Sequence, residues 1–242
     1  MKPTRLGWAQ GMAQPGRLCY RGAQNRKGDP MSEPLTPQDV EALFTRSDES
    51  FLFARWGRPI VPIVFGVDDK TLSVVKGAIE AVVTLADHKM AETDPELGAN
   101  LMLFFFRDWQ ELLEVPDLDR LIPDLAPLVA RLERADANQY RIFRFDADGA
   151  IKASFVFLRM DDQLGAVPAE TLALSQIVQT ILLWSDRAFQ DRSPLAALPD
   201  GGQVILRPEI AALIRAGYDP VLPAASQDPS HALRLQARLS VM

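Results

Sequence analysis

The chain has 242 residues, 48% hydrophobic and 24% charged, a composition that excludes general disorder and supplies enough apolar side chain for a full core. Its net charge of −6 is uneven: residues 1–30 hold six of the 26 Lys/Arg and one of the 32 acids, leaving 20 basic against 31 acidic residues, a balance of −11. That acidity argues against a nucleic-acid partner, no apolar run approaches the ~18 residues of a membrane span, and the lone Cys19 excludes an intrachain disulfide or a multi-cysteine metal site.

Residues 1–30 are basic, rich in Gly and Gln, and without apolar periodicity. Three readings compete: a translation start at Met31 behind a purine-rich Arg26-Lys27-Gly28 stretch, a basic unstructured tail, and an organellar transit peptide. Residues 31–225 read as one globular domain and 226–242 as a C-terminal amphipathic segment. Thr36 and Pro37 open a helix to about Arg46, as N-cap and first helical residue. Phe51 to Val67 is extended, with Pro59 and Pro62 pointing to a sheet edge. Asp68 or Asp69 caps a long helix to about His88, whose Leu72, Val75, Ile79, Val82 and Leu85 share one face.

Leu101 to Arg107 is apolar at nearly every position, the pattern of a central strand buried on both faces. Pro116, Pro123 and Pro127 break residues 108–135 into two or three short helices. Tyr140–Phe145 and Ile151–Leu158 flank Asp146-Ala147-Asp148-Gly149, a hairpin signal. A helix over Glu170–Trp184 follows, then a long connection over Ser185–Gln203, a short helix over Pro208–Ala216 stopped by Gly217, and an amphipathic segment over Asp228–Leu239. This order predicts an α/β (α+β) fold, a mixed sheet of about four to five strands with helices packed on it in two or three layers.

The chemistry implied by these residues is sparse. With His88 and His231 as the only histidines and no H-E-x-x-H, no zinc site of metalloprotease type is expected, and no metal or cofactor is assigned. His88 reads as a helix-end residue and His231 as an ordinary residue at a helix start. Asp146–Gly149 lacks the ligand spacing of a calcium loop. Phe143, Phe145, Phe155 and Phe157 alternate along the hairpin and are assigned to the core. Asp68, Asp69, Asp161 and Asp162 follow strands, where carboxylates commonly face an active-site crevice, and are the candidate catalytic acids; the competing reading is helix caps beside solvated neighbours. The predicted helix over 170–184 carries an uncharged stripe of Ser175, Gln176, Gln179 and Thr180, which makes Gln176 and Gln179 the candidate ligand contacts. Arg207, Arg215, Arg234 and Arg238, interleaved with Leu233, Leu235 and Leu239, raise a docking helix for a protein partner, against a terminal helix lying on its own domain.

From Arg58 to Pro223 the succession strand, long helix, central strand opened by Ala99-Asn100, hairpin and second long helix resembles the zincin layout. More narrowly it resembles a proteobacterial family of often exported proteins with a degenerate metzincin-like core, matched here by Gln179 and by Tyr218-Asp219-Pro220. The resemblance implies a protease-like fold; the chain departs from it in lacking a zinc-ligand pair, a neighbouring catalytic Glu and an export signal. The expectation is a non-catalytic cytoplasmic protein, neither membrane-bound nor nucleic-acid-bound, that binds a protein or small ligand above the sheet. The alternative is a carboxylate-dependent hydrolase using the acids at the strand ends.

Overall fold

A hexapeptide without a polar face has to be covered from both sides, and Leu101–Phe106 meets that requirement at the centre of the protein. The computed structural model describes residues 11–12, 34–198 and 203–239. In chain order the elements are β1 (Gly11–Met12), α1 (Pro37–Phe44), β2 (Phe53–Ala54), β3 (Pro62–Phe65), α2 (Asp69–Leu85) and β4 (Leu101–Phe106). A 3-10 helix (Trp109–Glu114), α3 (Leu118–Leu121), α4 (Leu125–Arg134), β5 (Gln139–Phe145), β6 (Ile151–Arg159), α5 (Asp162–Gly165) and α6 (Ala169–Ile181) follow. β7 (Leu195–Ala197), β8 (Val204–Leu206), α7 (Pro208–Gly217), β9 (Ala225–Ser226) and α8 (Ser230–Leu239) complete the described chain.

The main sheet has the order β1-β5-β6-β4-β3. β3, β4 and β6 are parallel, β5 returns antiparallel to β6, and Gly11–Met12 pairs antiparallel with β5. The fold is therefore α+β with a mixed sheet, as the element order implies; apart from Gly11–Met12, the readings of residues 1–30 and of Met31 fall outside the described residues. β3 is an edge strand, consistent with its prolines. Gly66 ends it with φ +81° beside the Phe105 carbonyl, where a Cβ would lie 1.9 Å from that oxygen, so only glycine fits.

Side-chain alternation on β4 and β6 divides the core in two. Leu101, Leu103, Val156 and Leu158 face α2 and α6, meeting Val75, Ile79 and Val82 on one helix and Ile177, Val178 and Ile181 on the other. Met102, Phe104, Phe106, Phe155 and Phe157 face the opposite layer, under Trp109, Leu112, Leu118, Val129 and Leu132. On that side Phe104 stacks between Phe65 and Phe157, with ring centroids 4.8 and 5.1 Å apart. Phe143 lies on the α6 side, whereas Phe155 and Phe157 lie on the other, so the hairpin phenylalanines are core residues divided between two faces. Gly149, at φ +83°, closes the hairpin turn, while Asp146 Oδ1 accepts from the backbone N–H of Asp148 and Ala150 at 3.0 and 2.9 Å.

Three local expectations change. The predicted connection over 185–203 contains β7, which pairs with β8 to form a small hairpin, because the apolar run after Pro194 finds a partner beyond Gly201-Gly202. Helix α6 ends at Ile181 rather than Trp184: Leu182 turns extended and bridges Arg55, Leu183 N–H donates to Ala54 O at 2.8 Å, and Trp184 Nε1 donates back to Val178 O at 2.8 Å. The C-terminal amphipathic helix α8 packs against α1 and α7 and buries His231, Ala232 and Leu235, leaving Leu233 on the surface.

A polar clamp fixes the entrance of β3 on β4. Asn100, with no exposed surface, accepts from Val61 N–H through Oδ1 at 2.8 Å and donates through Nδ2 to Pro59 O at 2.9 Å and to Asp94 Oδ2 at 3.0 Å. Burial pushes the Asp94 carboxyl up, but hydrogen bonds from Leu97 and Glu96 N–H, Asn100 and Arg58 outweigh it and hold it below its ordinary value. Asn100→Ala leaves Val61 N–H and the Asp94 carboxylate underbonded, so the urea midpoint should fall by the equivalent of about 1–3 kcal/mol at unchanged m-value. An unchanged midpoint would show that water replaces the clamp at no cost.

Candidate functional site

Two of the four carboxylates singled out in the sequence, Asp68 and Asp161, are helix caps. Asp68 Oδ1 accepts from Thr71 N–H at 2.7 Å at the start of α2, and that hydrogen bond holds its carboxyl below the ordinary range. Asp161 Oδ1 accepts from Gln163 and Leu164 N–H at 3.1 and 2.9 Å at the start of α5, and its Oδ2 accepts from Asn138 Nδ2 at 3.1 Å. Asp69 and Asp162 are the exposed first residues of those helices. Because β3 and β6 are parallel, both pairs stand at the same end of the sheet, yet no hydrogen bond or ion pair links one pair to the other among the described residues.

The two glutamines separate. Gln179 Nε2 donates to Ser175 O and Oγ on its own helix, at 3.1 and 3.0 Å. Gln176 is fully buried between α6 and the sheet, where its Oε1 accepts from Arg141 Nη2 and its Nε2 donates to Gln139 Oε1 at 3.3 Å. The sequence reading missed Arg141 and Gln139. The signal was present in the strand period, since residues 139, 141 and 143 share a face and Phe143 points inward.

A cavity of ≈690 Å³ lies between α1, the segment 186–193 and the start of α7. Leu35, Leu43, Phe189 and Ile210 give it apolar lining, and Glu209 is a buried charge in its wall, its side chain only 4% exposed. Glu209 Oε1 lies 3.2 Å from Arg192 Nη2, and neither carboxylate oxygen has a hydrogen-bond partner among the described residues. Arg207, the N-cap of α7, donates through Nε to Ser193 O at 2.9 Å. Phe189 adopts φ +65°, a left-handed conformation that is a genuine outlier for a bulky aromatic residue, and its ring packs edge-on against Trp184 at 4.9 Å. The groove was invisible to sequence reading because its walls come from three distant segments.

Tyr218 and the histidines are more embedded than expected. The Tyr218 hydroxyl donates to Ile181 O at 2.8 Å and accepts from Trp56 N–H at 3.4 Å, and burial pushes its pKa up. Its ring lies between the His88 imidazole, at 5.1 Å, and the Arg55 guanidinium, at 5.5 Å. His88 is not a solvated helix end: Nε2 lies 2.9 Å from Arg58 O, which defines it as the donor, and burial lowers its pKa. His231 is 1% exposed, packs on Phe53 at 4.5 Å, has no hydrogen-bond partner at either ring nitrogen among the described residues, and is likewise lowered by burial. Among the described residues no group of three or more His, Cys, Asp or Glu is placed to hold a metal, and no helix is long and apolar enough to cross a membrane.

No protein-family model matches the chain, and neither a curated protein nor a solved structure shows a significant match to it.

Both histidines are held neutral by burial, so the unfolded chain binds more protons than the folded one once pH falls below the ordinary histidine value of 6.5. Their contribution is fully present above that value and is lost as pH falls toward their depressed folded values. The thermal midpoint should therefore drop between about pH 7 and pH 5, and His231→Leu should flatten that part of the profile. A profile of equal slope in the variant would assign the drop to other groups.

Proposed function

We propose that the protein is a non-catalytic cytoplasmic binding protein, and that its ligand occupies the groove between α1, the segment 186–193 and α7. The observation that carries this reading is the Glu209 carboxylate, buried in the wall of a ≈690 Å³ cavity with Arg192 as its ion pair and no hydrogen bond to either oxygen among the described residues. A buried acceptor left underbonded is costly, and a ligand donor that reaches it regains that cost. The lining carries Asp39, Glu41, Glu49 and Asp191 besides Glu209, against Arg187, Arg192 and Arg207. This excess of acid favours a ligand bearing an ammonium or guanidinium group.

The absence of catalysis is supported by the caps: Asp68 and Asp161 each commit Oδ1 to helix N–H groups, and Asp161 Oδ2 accepts from Asn138, which opposes the hydrolase reading. A protease-like, metal-free layout is supported only by the succession of β3, α2, β4, hairpin and α6, with α2 and α6 packed side by side. A protein partner at α8 is left with the outward Leu233 and the arginines, because the apolar face of that helix rests on α1 and α7.

The test is calorimetric titration of the full chain with a panel of small primary amines and guanidines. At least one should bind the wild type and lose about tenfold or more in affinity, about 1.4 kcal/mol, in Glu209→Gln. No binding anywhere in the panel, or equal affinity in the variant, would remove Glu209 from the site.

A further inference from the structure

Arg141 carries a charge that no side chain among the described residues neutralises. It lies in β5 at the end of the cross-sheet row Val64, Leu103, Val156, Arg141, whose other members are aliphatic, on the face covered by α6. Its Nη2 donates to two neutral acceptors, Gln139 Oε1 at 3.0 Å and Gln176 Oε1. Its Nε is buried and has no partner, and no carboxylate stands within ion-pair distance among the described residues. Burial alone pushes the guanidinium pKa down to about 10, so it remains charged at neutral pH.

A guanidinium in such a place ordinarily has a carboxylate opposite it, because a neutral amide oxygen returns only part of the lost hydration. Two glutamines hold the head in place without cancelling its charge. They also bring donors: Gln176 Nε2 is engaged with Gln139 Oε1, while Gln139 Nε2 donates to nothing else among the described residues. Gln139 and Gln176 are buried while Arg141 as a whole is half-buried, so solvent reaches the cluster along Arg141.

We propose that Arg141, Gln139 and Gln176 form a binding site for a small oxyanion, a carboxylate or a phosphate, against β5 beneath α6. The anion supplies the counter-charge and the acceptor for Arg141 Nε, and Gln139 Nε2 is the second donor. The site is separate from the groove, whose lining includes none of these three residues, and it takes a ligand of opposite charge. A cluster serving only to orient α6 would show no dependence on the anion present.

The full chain is melted in sodium phosphate, in sodium acetate and in sodium chloride at matched ionic strength, and phosphate binding is followed in parallel by line broadening in phosphorus NMR. At ten times the dissociation constant one oxyanion should raise the midpoint by about 3–5 °C over chloride, and Arg141→Met should abolish the difference. A rise in phosphate alone or acetate alone identifies the class. Gln139→Leu, which keeps the guanidinium, should weaken binding several-fold and serves if Arg141→Met does not fold. The proposal is overturned if neither oxyanion exceeds chloride, if Arg141→Met retains the wild-type rise, or if Gln139→Leu binds as the wild type does.

Discussion

Two-sided burial of β4 and β6 is the constraint on which the rest of this structure depends. A strand with Leu101, Leu103 and Phe105 on one side and Met102, Phe104 and Phe106 on the other loses stability wherever either side meets water, at about 2–3 kcal/mol for each large side chain exposed. Parallel neighbours answer this requirement, because the crossovers that join parallel strands supply the covering layers. The β3–α2–β4 crossover covers one face, and the run from Trp109 to Arg134 covers the other before β5 returns. α6 then joins α2, and α1, α7 and α8 widen that same layer, so both proposed sites border a helical layer whose position the sheet decides.

The polar groups inside this frame obey a simple accounting. Every parallel strand ends at an aspartate that feeds the following helix: Asp68 after β3, Asp108 after β4 and Asp161 after β6 each accept from backbone N–H groups of the next turn. Their clustering at one end of the sheet has a structural cause, since each crossover starts at the same edge and each helix there exposes unbonded N–H groups. The same position that invites a catalytic reading thus follows from topology alone. Arg141 breaks the accounting, because its guanidinium is buried against the sheet and its acceptors are neutral.

What the sequence disclosed follows from how local each determinant is. The α1 cap at Thr36, the α2 cap at Asp68, the two-sided strand at Leu101 and the turn at Gly149 are written in neighbouring residues, and all are found where the pattern predicts. The end of α6 was misplaced because its last turn is exchanged for contacts with Ala54 and Arg55, more than a hundred residues earlier. The β7–β8 hairpin was missed because each strand is three residues long, too short for alternation to register. His231 is at the start of α8, as the pattern predicts, but nothing nearby announces that Phe53 will cover it. The groove needed α1, the 186–193 segment and α7 together, and the Arg141 cluster needed a strand face matched to a helix face.

The groove also explains how Phe189 keeps a backbone conformation that costs of order 1–3 kcal/mol. Such strain persists only where the surroundings leave no alternative, and this segment is tied on both sides. Ser185 N–H donates to Leu43 O at 2.8 Å, Ser185 Oγ accepts from Ala188 N–H at 3.1 Å, and Asp186 Oδ1 accepts from Ser47 N–H at 2.9 Å. Behind Phe189 stands a continuous aromatic series: Trp184 at 4.9 Å, Phe44 stacked on Trp184 at 5.4 Å, Phe53 at 5.2 Å from Phe44, and His231 at 4.5 Å from Phe53. Rings in edge and stacked contact transmit displacement poorly as soft matter and well as a packed solid. The strained residue at the groove is thereby braced by α1, the turn after α6 and α8 at once, and it lines the same groove as Glu209 in the first turn of α7.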